Sequence, residues 1–74
     1  MRQTDQDLSR VREFLAAQSL RPQQRLPAER DLADQLGLTR NRLRGALRRL
    51  ETEGLIWRHV GQGTFFGAKP WRNN

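Results

Sequence analysis

LPAERDLADQLGLTRNRLRGALRRLETEGLIWRHVGQGTFF, residues 26–66, is the stretch that decides the fold. It contains two amphipathic helical patterns that meet at Gly37, followed by two short apolar runs at residues 55–60 and 64–66. Two helices joined by a tight glycine turn are typical of a helix-turn-helix. The apolar runs are rich in β-branched and aromatic residues, and the glycines of Gly61-Gln62-Gly63 permit positive φ, so a β-hairpin is predicted.

The helices of this stretch carry recognisable end signals. Pro27 suits the first position of one helix, which runs to about residue 36, and Gly37 suits its left-handed C-terminal cap. Thr39 suits the N-cap of the next helix, which we predict at about residues 40–53. Four apolar residues of that helix lie within about 100° of arc and predict its core-facing side: Leu43, Ala46, Leu47 and Leu50.

A further helix is predicted before this stretch, at about residues 4–19, with Thr4 as its N-cap. Three of its apolar residues recur at helical spacing: Leu8, Val11 and Leu15. The segment at residues 20–26 loses this period and contains Pro22, which predicts a connecting loop. The fold class is therefore mainly α with a small β-hairpin.

The chain is short, basic and free of cysteine. Its 74 residues predict one domain with a small core, and the lack of cysteine excludes disulfides and thiolate metal sites. No apolar run approaches the roughly 20 residues of a membrane span, and no secretory signal is recognisable. We therefore expect a cytoplasmic protein. The net charge of +6 favours a polyanionic partner, either nucleic acid or anionic lipid.

The positive charge is concentrated on the helix at residues 40–53. Between residues 35 and 50 there are five arginines and no acid. Arg40 and Arg44 have no acid at i±4, whereas Arg49 has Glu53 at i+4 and is predicted to be structural. Three acids are expected to offset the arginines of the N-terminal segment: Asp5, Asp7 and Glu13.

Groups that would carry catalysis are missing from the sequence. His59 is the only histidine, and we expect it at the surface of a strand. Neither Ser9 nor Ser19 lies in a recognisable nucleophile motif, and no glycine-rich phosphate loop or paired-carboxylate motif is present. The sequence therefore predicts no enzyme, no cofactor and no metal site.

Several ordered motifs closely resemble the GntR family of bacterial transcription regulators. They cover roughly residues 8–67 and read LPAERDLA at 26–33, LTR at 38–40, LR at 43–44, ALRRL at 46–50, EGL at 53–55 and GQGTF at 61–65. The resemblance implies a winged helix-turn-helix of three helices and a two-stranded wing, at residues 4–67. It also implies that residues 68–74 begin a linker to a C-terminal domain missing from this chain.

The same resemblance implies partners and contacts. The protein is expected to bind a palindromic double-stranded operator, and the full-length protein to be a homodimer. Residues 40–53 would lie in the major groove, with the wing tip at residues 61–63 at the backbone or minor groove. A small-molecule effector is expected on the missing domain, and no membrane partner is expected. The positions that match the family's DNA contacts are Arg30, Thr39, Arg40, Asn41, Arg42, Arg44 and Gly61, with Gln62 added as the wing-tip side chain.

Physical reasoning supports these positions and leaves alternatives open. Arg40 and Arg44 lie one turn apart near the start of a helix, where each can hold guanine O6 and N7, although arginine rows are also common on solvated, salt-bridged faces. Thr39 is either a helix cap alone or also a phosphate contact. Arg30 either clamps a phosphate or pairs with Asp34 at i+4.

Each of the remaining positions also has two interpretations. Asn41 can pair with adenine N6 and N7 or be exposed polar filler. Gly61 and Gln62 form either a wing tip against DNA or an ordinary hairpin turn. Asn41 and Arg42 stand where the family commonly has small or hydroxylated residues, and Gly45 stands where it often has glutamate. Operator preference is therefore to be sought at Asn41, Arg42 and Gly45.

Two other functions fit parts of the pattern. A winged helix can also be a protein-interaction module, for which exposed aromatic residues would be the anchors: Trp57, Phe65, Phe66 and Trp71. Binding to an anionic membrane surface is a weaker alternative, because the leucine face opposite the arginines is already needed for the core.

Overall fold

Three helices followed by a two-stranded antiparallel sheet form the fold in the computed structural model, which describes residues 3–69. The elements are α1 (Gln3–Ala17), α2 (Glu29–Leu36), α3 (Arg40–Thr52), β1 (Ile56–His59) and β2 (Gly63–Phe66). The predicted fold class is confirmed. No helix in the described range is both long and apolar enough to span a bilayer. Most of the predicted linker, from residue 70 onwards, lies outside the described residues.

The first helix packs its apolar side chiefly against α3. The prediction of Thr4 as its N-cap is wrong, because Thr4 lies within α1. The helix also ends at Ala17, before the predicted residue 19, since Ser19 takes a positive φ of 52° that an α-helix does not allow. Its three predicted apolar residues are buried: Leu8, Val11 and Leu15.

The second helix begins at Glu29, so the prediction of Pro27 as its first residue is wrong. The chain just before it is bound to the sheet by a hydrogen bond from the Leu26 N–H to the Thr64 carbonyl (2.8 Å). Because this hydrogen bond holds the chain against the sheet, α2 begins two residues later than predicted. Ala28 is then the N-cap, and no side-chain hydrogen bond caps the helix.

The turn between α2 and α3 forms as predicted. Gly37 has a φ of 68°, a left-handed conformation that glycine adopts without steric cost, and its N–H caps the end of α2. Thr39 Oγ1 accepts a hydrogen bond from the Arg42 N–H (3.1 Å), which makes Thr39 the N-cap of α3. The predicted end of this helix near Glu53 is confirmed, since Glu53 is its C-cap.

The core lies where the three helices meet β1. All four residues of the predicted α3 stripe are buried: Leu43, Ala46, Leu47 and Leu50. Ile56 of β1 continues this apolar interior. Because close packing fixes the rotation of α3 about its own axis, it also decides which side chains of α3 face solvent.

The turn of the hairpin lies one residue earlier in the chain than expected. The last pair of the β1–β2 ladder is His59 opposite Gly63, so Gly63 belongs to β2. The turn consists of residues 60–62 and is closed by a hydrogen bond from the Gln62 N–H to the His59 carbonyl (2.9 Å). The predicted wing tip at residues 61–63 is therefore shifted by one residue, because Gly63 continues the ladder.

The predicted connecting loop before α2 pairs with the other edge of β2. Arg25 forms an antiparallel bridge with Phe65, next to the bond from Leu26 to Thr64. This segment is thus a short extended edge of the sheet. Residues 20–26 show no alternation of apolar and polar side chains, which is why this pairing was not expected.

The aromatic side chains of the hairpin pack within the domain. Trp57 is 7% exposed and stacks on Phe65 with the ring centroids 4.4 Å apart. Phe65 and Phe66 are half-buried. The expectation of an exposed aromatic anchor is therefore wrong for Trp57, and Trp71 lies outside the described residues.

Candidate nucleic-acid interface

The solvent-facing side of α3 is basic near its start. Four polar side chains are exposed there, outside the buried leucine stripe: Arg40, Asn41, Arg42 and Arg44. Thr39 at the N-cap is exposed as well, as is Arg30 in the first turn of α2. The first turn of a helix also has N–H groups without partners in the helix. This end of α3 therefore combines positive side chains with hydrogen-bond donors, which suits an anionic ligand.

Glu29, the first residue of α2, joins α3 to the wing. Its carboxylate accepts one hydrogen bond from Arg44 Nε (3.1 Å) and another from Arg58 Nη2 of β1. Burial opposes ionisation of this carboxyl, but the two hydrogen bonds outweigh it and lower the pKa of Glu29. The Arg44 side chain remains 49% exposed, and its two terminal nitrogens are left for a ligand.

Asp7 of α1 binds Arg42 of α3 in a two-point ion pair. Arg42 Nη2 donates to Oδ1 (2.7 Å) and Nε donates to Oδ2 (3.1 Å), while Gln3 Nε2 also donates to Oδ1 (3.2 Å). The Asp7 side chain is 4% exposed and that of Arg42 is 40% exposed. The hydrogen bond from Arg42 lowers the pKa of Asp7 against the opposing effect of desolvation.

Asp7, one of the acids expected to offset the arginines of the N-terminal segment, forms its ion pair with α3, and Arg10 of its own helix also acts on its charge. Arg12 of α1 pairs instead with Glu53 at the end of α3. Arg10 Nη1 donates to the Leu36 carbonyl (3.1 Å) at the end of α2. The charges of α1 therefore serve contacts between helices, near both ends of α3.

The arginines of α3 differ in their partners. Arg44 has no acid at i±4, but the fold supplies Glu29, so counting neighbours along the helix missed its ion pair. Arg49 lies 3.9 Å from Glu53, measured from Nε to Oε2, which confirms the predicted pair. Arg40 has no ion-pair partner among residues 3–69.

Arg30 is likewise free of ion pairs within the part of the chain that the structure describes. The alternative pair with Asp34 at i+4 is therefore not formed. An exposed, unpaired guanidinium in the first turn of α2 is available to a phosphate.

The wing tip is exposed, with Val60 at 98% and Gly61 and Gln62 also open to solvent. Gly61 has a φ of 79°, which favours glycine at this position. The side chain of Arg25 crosses the base of the wing, since a Cβ built on Gly63 would lie 2.9 Å from Arg25 Nε. Arg25 thus adds a cation beside the wing.

Four charged residues of this surface were not among the predicted site residues: Asp7, Arg25, Glu29 and Arg58. Strand alternation does not point to Arg58, because the first two residues of β1 are both buried. The other contacts join residues far apart in the chain, as with Asp7 and Arg42 at a separation of 35, and leave no local pattern.

Gly45 has no packing requirement for glycine. It borders a shallow hollow between α3 and Thr4 of α1. A Cβ built at this position meets nothing within 4 Å. A side chain at position 45 would therefore meet no other part of the described protein.

The ion pair of Asp7 predicts an acid dependence of stability. Because the pKa of Asp7 is lowered in the folded protein from an ordinary value of 3.8, its contribution to stability is fully present above that value. The contribution is lost as the pH falls through the lowered pKa. We expect the urea midpoint of the wild type to fall more steeply than that of Asp7→Asn between about pH 5 and about pH 2.5.

Asp5→Asn is the matched control for this titration, since Asp5 is exposed on the same helix. It should retain the wild-type dependence on pH. Equal slopes for the wild type and Asp7→Asn would contradict the stabilising role of the Asp7 carboxylate.

These features define the class of the protein. Three helices, a hairpin paired with the segment before the second helix, and an exposed basic start of the third helix make a winged helix-turn-helix. The crystal structure of AraR(DBD) in complex with operator ORX1 is similar, with a TM-score of 0.76 and 27% identity over 90% of this chain and 81% of that one. Streptococcus agalactiae GntR has a TM-score of 0.84 and 27% identity, over 89% of this chain and 32% of that one.

The chain belongs to the gntR family of bacterial regulatory proteins, whose family model matches residues 6–66. It is 42% identical over 73 residues to a protein of Escherichia coli (strain K12) provisionally named L-lactate dehydrogenase operon regulatory protein, covering 99% of this chain and 27% of that protein. It is 47% identical over 51 residues to the HTH-type transcriptional repressor NagR of Bacillus subtilis (strain 168), covering 69% of this chain and 21% of the repressor.

The predicted family is thus confirmed, and these relatives carry the names of transcription regulators and not of enzymes. The chain spans 27% and 21% of the length of these two curated relatives.

Proposed function

We propose that this chain binds operator DNA sequence-specifically, as the DNA-binding domain of a bacterial gntR-family regulator. α3 enters the major groove, and the wing tip lies at the backbone or minor groove. The observation that carries the proposal is the exposed basic start of α3, whose arginines flank its buried leucine stripe. The similarity to AraR(DBD), which was solved with operator DNA, supports the same mode of binding here.

Base reading falls mainly to Arg40 and Arg44. Each is exposed near the start of α3, and a guanidinium held against guanine O6 and N7 contributes about 1–3 kcal/mol of discrimination. Glu29 binds only Nε of Arg44, so it orients the guanidinium while leaving the terminal nitrogens for a base. Asn41, exposed between the arginines, pairs with adenine N6 and N7.

Backbone contacts hold the domain in register. Arg30 binds a phosphate from α2, and Thr39 presents the first turn of α3 to another. Gly61 and Gln62 contact the backbone or minor groove from the wing tip. Arg42 contributes only through the part of its guanidinium that Asp7 does not bind.

For the whole protein, residues 4–67 are the DNA-binding domain and residues 68–74 begin a linker to a C-terminal domain. That domain dimerises the regulator and binds a small-molecule effector. The dimer reads a palindrome whose half-sites lie about 34–36 Å apart, or a multiple of that distance, on one face of the duplex. As a bacterial regulator of transcription, the protein works in the cytoplasm.

Titration of a random-sequence duplex at low and high salt tests DNA binding as such. We expect binding at low salt that weakens steeply as salt rises, because arginine–phosphate contacts release counterions. The alternative of a protein-interaction module predicts no binding at either salt concentration. That result would refute the proposed function.

Arg30→Ala is expected to weaken binding to all sequences alike. Arg30 is exposed and without an ion pair in the described range, so its loss removes one phosphate contact and leaves the fold intact. The slope of log affinity against log salt should become shallower by about 0.9, on selected and random duplexes alike. Fluorescence anisotropy at four or more salt concentrations measures this slope.

Arg21→Ala is the control for the loss of one positive charge, since Arg21 is exposed but lies outside the proposed contacts. It should leave the slope nearly unchanged. If both variants change the slope equally, Arg30 is not a phosphate contact.

A further inference from the structure

Asp7 is the one buried charged residue within residues 3–69, at 3% exposure. It lies on α1, outside the proposed DNA contacts, yet it binds Arg42 at the start of α3 through both carboxylate oxygens, at 2.7 and 3.1 Å. A buried carboxylate is tolerated only when its charge is compensated, and a planar guanidinium matches its two oxygens. The pair therefore fixes where the guanidinium of Arg42 points.

This pair sets Arg42 apart from its neighbours on α3. Arg44 donates only Nε to Glu29, and Arg40 is unpaired in the described part of the chain, whereas Arg42 commits two of its three guanidinium nitrogens to α1. The contact lowers the pKa of Asp7 and raises the pKa of Arg42, so both groups stay charged at neutral pH. DNA phosphates must compete with this carboxylate for Arg42.

We propose that Asp7 limits the affinity of this domain for DNA by holding the Arg42 guanidinium against α1, as an internal competitor of the DNA phosphates. The inference rests on the proposed DNA binding. Asp7 makes no contact with DNA itself and acts through Arg42. Releasing Arg42 adds a phosphate contact at the start of α3, and affinity then rises on every duplex because phosphate contacts carry no sequence information.

Asp7→Asn tests this in the full chain, with Asp5→Asn as the matched control. Both substitutions remove one negative charge from α1, but Asp5 is exposed and does not contact Arg42. We expect Asp7→Asn to bind a random duplex about 3-fold or more tightly than Asp5→Asn at low salt, with a salt slope steeper by about 0.9. Equal binding by the two variants overturns the proposal, as does weaker binding by a folded Asp7→Asn.

Adding Arg42→Ala to Asp7→Asn tests whether the gain in affinity acts through Arg42. The extra affinity should disappear and the slope should fall to the value of Asp5→Asn or below it, because both the new contact and any contact of the free part of the Arg42 guanidinium are gone. A gain in affinity that survives the loss of Arg42 overturns the proposal. Asparagine at position 7 avoids leaving a buried, unpaired carboxylate in the double variant.

A measurement on the wild type keeps the proposal testable if Asp7→Asn does not fold. The Arg42 Nε–H, bound to Asp7, should exchange slowly with water by NMR and stay slow in complex with a random duplex. Fast exchange in either state overturns the proposal. If the wild type binds no duplex at low salt, the proposed function is refuted. If the wild type binds duplex but Asp7→Asn and Asp5→Asn bind it with equal affinity, only the role of Asp7 is refuted.

Discussion

Arg44→Ala is expected to lower the affinity for a selected operator about 5- to 150-fold while changing the affinity for random duplex much less. The factor corresponds to the roughly 1–3 kcal/mol that a guanidinium paired with guanine contributes to base discrimination. The fold should survive, because Glu29 keeps its hydrogen bond from Arg58 when Arg44 is removed. Competition titrations of selected against shuffled duplex measure the effect.

Two controls sharpen this experiment. Arg44→Lys keeps the charge but loses the planar fork, so it should retain binding to random duplex and lose discrimination. Arg49→Ala removes the same charge from the other end of α3, where Arg49 faces Glu53, and should leave discrimination unchanged. An equal loss on every sequence for Arg44→Ala would contradict the base-reading role of Arg44.

Leu43→Ala is expected to destabilise the domain by about 2–5 kcal/mol. Leu43 is fully buried at the centre of the α3 stripe, so its truncation removes apolar contacts and leaves a cavity. Domains of this size have about 4–11 kcal/mol of total stability, so the loss approaches half of it or more. Urea denaturation should show a lower midpoint with an unchanged m-value.

Val60→Ala is the control for loss of an aliphatic side chain, because Val60 is 98% exposed at the wing tip. Its effect on stability should stay within about 0.5 kcal/mol. If Leu43→Ala costs no more than Val60→Ala, the packing of α3 against the core is not what holds the helix in place.

Local signals in the sequence were sufficient for most of the fold. Thr39 is the N-cap of α3 because its side-chain oxygen meets a backbone N–H three residues away, a contact contained in a four-residue pattern. Gly37 ends α2 for an equally local reason, its left-handed φ. The leucine stripe of α3 follows from helical periodicity alone.

The start of α2 and the edge of the sheet depend on tertiary contacts instead. Pro27 has the chemistry of a first helical residue, yet the pairing of Leu26 with Thr64 keeps the chain extended and moves the start to Glu29. That pairing joins residues far apart in the chain. A local pattern therefore predicts α2 but not its first residue.

The candidate site was predicted as a set of exposed positions but not as a network of charges. The exposed start of α3 follows from the helical wheel, whereas the partners of Arg42 and Arg44 come from α1 and α2. Neither pair is contained in a local pattern, because each acid lies on a different helix from its arginine. Which acid reaches which arginine depends on how the helices pack.

Selection of bound sequences from a pool of random duplexes tests the central claim, that this domain reads bases through α3, most directly. We expect repeated rounds to enrich one short motif, which the wild type binds at least about 10-fold more tightly than its shuffled sequence. The preference should weaken in Arg44→Ala. A pool that shows no motif after repeated rounds, with equal affinity for all its members, would contradict the claim.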